Sequence, residues 1–301
     1  MKNTVTAAGF ALALILNISA AASAETPAAK ENAAVESPAT AGPDKAVLER
    51  ALKGDAAAQY DMGVVYGMGK DGVTRDHRAA ITWFLKAAAQ GHVDAQYDLG
   101  MFYLFSEDES LRDATQSARW FLEAANKGDT RAQNAIAAAY SGGQGVDKND
   151  AEALRWWRKA ADKKSAEAQF NIGYAYLLGE GVAAAPADAL RWLTLAGDQN
   201  HTDAQYMLGR MYIEGVGADA NPALALRWLH RAADARHPAA MMLIGDAYLD
   251  GHGVEKSDVE AYYWYARAAD IDNAFNEERD ALAEKISPKD RVDVQKRLIQ
   301  R

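Results

Sequence analysis

Six histidines, 42 carboxylates and no cysteine are what this 301-residue chain offers for acid–base, metal or nucleophilic chemistry. Their spacing argues against all three. His92, His201 and His237 recur at one phase, which points to a structural turn, while His77, His230 and His252 show neither HExxH nor paired zinc-ligand spacing. No G-x-S-x-G elbow frames a serine, and the missing cysteine excludes disulfides and thiolate metal sites. The segments Gly143-Gln144-Gly145-Val146, Gly179-Glu180-Gly181-Val182, Gly215-Val216-Gly217 and Gly251-His252-Gly253-Val254 lack the GxxxxGK[ST] pattern of a phosphate loop. The acidic run Glu107-Asp108-Glu109, in a loop from Leu104 to Ser110, has oxygen ligands for a divalent cation. It lacks the D-x-[DN]-x-[DN]-G order of a calcium loop, and a solvated loop is the plainer reading. No catalytic residue, metal or cofactor is expected.

The elements that carry these residues are set by tryptophan. Trp120, Trp156, Trp192, Trp228 and Trp264 stand 36 residues apart, with Trp83 one repeat earlier at 37. A period of that size is the signature of stacked supersecondary units. In the copy from Asp203 to Ala235, Ala204, Leu208, Gly209 and Tyr212 share one face of a first helix. The glycine loop follows, with residues suited to a left-handed helix C-cap. Ala225, Trp228, Leu229, Ala232 and Ala233 then share one face of a second helix. Six copies repeat this pattern; an in-helix glycine costs roughly 1 kcal/mol relative to alanine, so its recurrence implies close helix packing. Trp83, Trp120, Trp156, Trp192, Trp228 and Trp264 are expected to be the bulk of the core, opposite alanines.

The joined pattern A-x-x-x-L-G-x-x-Y-x-x-G-x-G-V and A-x-x-W-x-x-x-A-A resembles the Sel1-like repeat, a relative of the tetratricopeptide repeat. The resemblance implies an all-α fold, a right-handed α-solenoid of antiparallel helix pairs used as an adaptor in signalling and complex assembly, with no common catalytic site. It also implies kinship with exported bacterial proteins that regulate partners or assist envelope assemblies. A cysteine-rich branch associated with penicillin binding is set aside by the absence of cysteine.

Outside the repeats, Lys2, an apolar run from Ala7 to Ile18 and Ala22-Ser23-Ala24 have the layout of a cleavable secretory signal, with cleavage expected after Ala24. The apolar run is shorter than the roughly 20 residues needed to span a bilayer, so no membrane insertion is expected after cleavage. Residues 1–24 are thus read as the signal and 25–43 as a disordered Ala/Pro/Glu tether. Residues 44–54 form an N-terminal capping helix, 55–270 the six repeats and 271–301 the C-terminal caps, the last helix starting at Ser287-Pro288. The formal charge of -9 supplies no basic footprint for nucleic acid. Only the closing helix is locally basic, through Lys289, Arg291, Lys296, Arg297 and Arg301, either as a solvated cap or as a docking face for an acidic partner.

Function is then expected where the copies differ. On the first-helix face opposite the core, Met101, Phe105, Tyr174, Leu178, Met207 and Arg210 are the candidate partner-binding residues, with packing between repeats as the alternative. The reading is a non-catalytic protein–protein interaction adaptor or regulator in the bacterial periplasm or secreted. Its partner would be an envelope-complex component or sensor ectodomain bound on the concave face. A peptidoglycan- or β-lactam-binding or hydrolysing protein, and a structural element of an envelope complex, are the alternatives.

Overall fold

The computed structural model describes residues 42–300. The expected signal, all but the last two tether residues and Arg301 lie outside them. Among the described residues the regular elements are all helical. A short helix, α1 (Lys45–Leu52), precedes six pairs: α2 (Ala56–Met68) with α3 (His77–Ala89), α4 (Val93–Phe105) with α5 (Ala114–Asn126), and α6 (Thr130–Gly142) with α7 (Asp150–Asp162). Then follow α8 (Ala166–Leu178) with α9 (Pro186–Asp198), α10 (Thr202–Glu214) with α11 (Pro222–Asp234), and α12 (Pro238–Asp250) with α13 (Asp258–Ala269). A 3-10 turn at Asn273–Phe275 leads to α14 (Asn276–Ala283) and α15 (Pro288–Ile299). These helices group into two compact units, one ending at Ala153 and the other beginning at Leu154.

Helix ends follow local chemistry. Glycine in the left-handed region closes α2, α6, α8, α10 and α12, with φ between 66° and 79°. Ser287 caps α15 by accepting from the Asp290 amide, and Pro288 takes the first helical position, where a missing N–H costs nothing. The first helices start on a side-chain acceptor at one repeated phase: Asp55, His92, Asp129, Ser165, His201 and His237. That is the structural role of the three histidines. Each accepts through Nδ1 from the amide of Ala95, Ala204 or Ala240 at 3.1–3.3 Å. Each imidazole also stacks on an aromatic ring of the preceding first helix: His92 on Tyr60, His201 on Phe170 and His237 on Tyr206.

The tryptophans do not behave as one set, contrary to the expectation that all six fill the core. Trp156, Trp228 and Trp264 are buried, but Trp83, Trp120 and Trp192 are only half-buried. In every copy the next residue is buried: Phe84, Phe121, Trp157, Leu193, Leu229 and Tyr265. The in-helix glycines explain the difference. A Cβ added to Gly63 would stand 2.5 Å from the Phe84 ring, and one on Gly209 would stand 2.5 Å from Leu229. Each glycine leaves a socket for the residue after tryptophan. The indole, about 100° further round the helix, sits at the edge of the apolar stripe. There a cation often covers its outer face: Lys86 over Trp83, Arg119 over Trp120, Arg155 and Lys159 over Trp156, Arg231 over Trp228 and Arg267 over Trp264.

A second regularity is polar. Gln59, Gln96, Gln133, Gln169 and Gln205 fall one residue after the core alanine of successive first helices, and all five are buried. The side-chain amides of Gln59, Gln96, Gln133 and Gln205 donate to the carbonyls of Ala51, Ala88, Ala125 and Gly197, near the end of the preceding helix. A helix C-terminus leaves its last carbonyls without intrahelical partners, and glutamine meets one of them at these four junctions. Gln90 and Gln199 in turn donate to Gln59 and Gln169. In the sixth copy Met241 replaces the glutamine.

Candidate functional site

With the core side of each first helix occupied, the opposite side carries the copy-specific residues. In the first unit these are Asp61, Val64 and Met68 on α2 and Asp98, Met101 and Phe105 on α4. Met68 is 63% and Phe105 46% exposed, whereas Val64 and Met101 are half-buried. The two helix faces are tied together by the Tyr60 hydroxyl, which donates to Asp98 Oδ2 at 3.1 Å. Burial pushes the Asp98 carboxyl above its ordinary range, and the Tyr60 hydrogen bond only partly offsets this. The Tyr60 phenol is raised by the same burial and by the neighbouring carboxylate. Beside this pair, Arg131 Nη2 donates to Asp94 Oδ1 and to Asp129 Oδ2, each at 2.6 Å. Its guanidinium lies 4.4 Å from the centre of the Tyr97 ring.

The second unit treats its candidates differently. Tyr174 is half-buried against Phe170, with ring centres 6.1 Å apart, and its phenol is raised mainly by burial. Leu178 is half-buried. Met207 corrects the expectation: it is 7% exposed and packs with Phe170, Leu193 and Leu208. It cannot line a binding surface, because its side of α10 is covered by the neighbouring copy. Arg210 is also largely covered and donates to Glu214 at 2.7 Å, one turn away. Further along, the Tyr265 hydroxyl donates to Asp246 Oδ1, and burial raises that carboxyl too.

The glycine-free loop after α4 turns through a 3-10 segment, Glu109–Leu111, capped by Asp108. Its acids face arginines: Glu107 pairs with Arg75, Asp108 with Arg78 and Glu109 with Arg112. Arg112 Nε also donates to the Ser106 carbonyl at 2.8 Å, doing part of what glycine does in other copies. These pairs offset the charge of the three clustered acids. Among the described residues no group of three histidines, cysteines or carboxylates is placed to hold a metal. An open cleft of about 730 Å³ adjoins the loop, lined in part by Tyr66, Arg75, His77, Arg78 and Leu111. Both guanidiniums are already opposed by carboxylates.

On the closing helix, Arg297 grips Glu260 through both guanidinium nitrogens and lies 4.1 Å from the centre of the Tyr263 ring. Lys296 pairs with Asp293. Arg297 thus fastens the closing helix to α13, while the Lys296 pair lies within α15.

Repeated helix pairs with a uniform core and variable first-helix faces define a helical-repeat scaffold, a class that works by presenting surface. The chain belongs to the Sel1 repeat family: the family model matches residues 56–92, 93–129, 130–165, 166–201, 202–237 and 238–273. Sel1 repeat proteins generally mediate protein–protein interaction. A protective antigen of uropathogenic Escherichia coli strains, with the same repeat fold, is 27% identical and superposes with a TM-score of 0.76 over 83% of this chain. The match covers only 54% of that protein, so this chain spans about half its length. A Sel1 repeat protein from Oxalobacter formigenes is 30% identical, with a TM-score of 0.69 over 78% of this chain and 68% of that one. No curated protein matches the sequence. Among the described residues no helix is long and apolar enough to cross a membrane.

Proposed function

We propose that the chain is a non-catalytic adaptor or regulator, exported to the periplasm or secreted, that binds a partner protein through its first-helix faces. One observation carries the reading: Met68 and Phe105 are exposed apolar side chains at the same phase of successive copies, on helices whose opposite side is buried core. Large apolar side chains exposed at a shared phase of neighbouring helices support a surface that a partner covers. Export is supported by the N-terminal sequence pattern, Lys2 followed by the apolar run and Ala22-Ser23-Ala24.

Site-specific photo-crosslinking in the producing cell tests both parts. A photoreactive residue at Phe105 should give a discrete adduct with one protein in the exported fraction, and the same residue at Glu123, on the exposed side of α5, should not. Equal adducts from both positions, none from either, or a chain retained wholly in the cytoplasm would count against the proposal.

A further inference from the structure

The exposed face of α2 and α4 combines two chemistries at regular spacing. Val64 and Met68, and Met101 and Phe105, are apolar pairs one helical turn apart. Three residues before each pair stands a carboxylate, Asp61 or Asp98, and Asp94 lies a turn before Asp98. The Tyr60–Asp98 hydrogen bond sets the two faces side by side. Two cations lie near, Arg131 paired with Asp94 and Asp129 and Arg50 paired with Asp55, and they are outnumbered by the five carboxylates Asp55, Asp61, Asp94, Asp98 and Asp129. The charge that remains on this face is therefore negative, next to apolar side chains that water covers poorly.

The same copy shows what such a surface accepts. Arg131 lays its guanidinium over Tyr97 while donating to Asp94, a cation held by a carboxylate and an aromatic ring together. Asp98 offers a comparable half-buried carboxylate with its orientation fixed by Tyr60.

We infer that this face takes a basic segment of the partner protein. A lysine or arginine would be received by Asp61 and Asp98, and a nearby apolar side chain by the exposed Met68 and Phe105 with the half-buried Met101 beside them. The inference rests on the proposed adaptor function and deepens it by giving the partner's chemistry. Anionic partners are disfavoured by the same carboxylates.

Fluorescence anisotropy with the full chain and a labelled peptide of alternating arginine and leucine tests it, against a glutamate–leucine peptide of equal length. The arginine peptide should bind saturably and the glutamate peptide should not. Asp61→Asn and Asp98→Asn should each weaken binding roughly tenfold, as loss of one charge-assisted contact does. Phe105→Ser should weaken it comparably, and Glu123→Gln on α5 should leave it unchanged. Asp98→Asn retains an acceptor for Tyr60, so its melting temperature should not fall, which separates lost binding from lost folding. Indifference to peptide charge, or equal losses with Glu123→Gln, would overturn the inference. A Phe105 crosslink that maps to an acidic segment of the partner would also overturn it, yet leave the adaptor reading standing.

Discussion

At the scale of single residues, the repeated tryptophan and the residue after it divide one task. The glycine socket on the first helix admits the second of the pair, so Phe84, Phe121, Leu193 and Leu229 are almost wholly shielded while the indole lies at the stripe's edge. Copies then differ in how much of the indole is covered. Trp156 is 2% exposed and flanked by Arg155 and Lys159, whereas Trp192 is half-buried and Leu195 stands where Trp156 has Lys159. Truncation should read that difference directly. Trp156→Ala is expected to cost about 3–5 kcal/mol as a buried large-to-small change, and Trp192→Ala about 1–3 kcal/mol because part of its surface is already wet. Urea unfolding of the two variants checks the order; equal costs would mean that burial of the indole is not what sets its contribution.

At the scale of elements, the recurrent device is the first-helix N-cap, where three copies use a neutral imidazole in place of a carboxylate or hydroxyl. Nδ1 must stay unprotonated to accept an amide hydrogen, and stacking on Tyr60, Phe170 or Tyr206 holds the ring in that orientation. Burial holds the His201 imidazole below its ordinary value of 6.5, and burial acts likewise on His230. Because the folded chain binds these protons less readily than the unfolded chain, their contribution is fully present above about pH 6.5. It is lost as pH falls through the depressed folded values. The urea midpoint should therefore drop between pH 7.5 and pH 5.5, and His201→Asn, a good cap that does not titrate, should make the drop smaller. An unchanged drop in that variant would remove His201 from the account.

At the scale of the whole molecule, an array needs ends. Helices α14 and α15 and the segment joining them place Leu282, Val294 and Ile286, respectively, against the cluster that contains Tyr262, Tyr263 and Tyr265, and Arg297 fastens α15 to Glu260. A chain ending at Ile271 would leave that apolar face to water, and terminal repeats without a polar outer side are poorly soluble. Such a truncation should lower the melting temperature and promote aggregation. Arg297→Ala should change stability little, since exposed ion pairs contribute modestly. If both behave alike, the cap works by charge and not by covering the core.

The period, the helix pairs, the glycine C-caps and the Ser287-Pro288 helix start were legible in the sequence because each depends on residues close together along the chain. Helical periodicity, left-handed φ and capping chemistry are local properties. The candidate surface was only partly legible. Variation between copies singled out Phe105, which is exposed, together with Met207, which is buried, and the sequence does not say which side of a helix the next copy will cover. The five glutamines recur in all copies but the sixth, and their role emerges only when the tertiary structure places a helix-end carbonyl opposite each of Gln59, Gln96, Gln133 and Gln205. Likewise, adjacent arginines account for the acids after α4, and Tyr60 turns Asp98 from one acid among many into a fixed acceptor. What sequence alone determined is the repeat; packing between neighbouring copies decided which of its variable residues remain available to a partner, because burial is a property of neighbours and not of the residue itself.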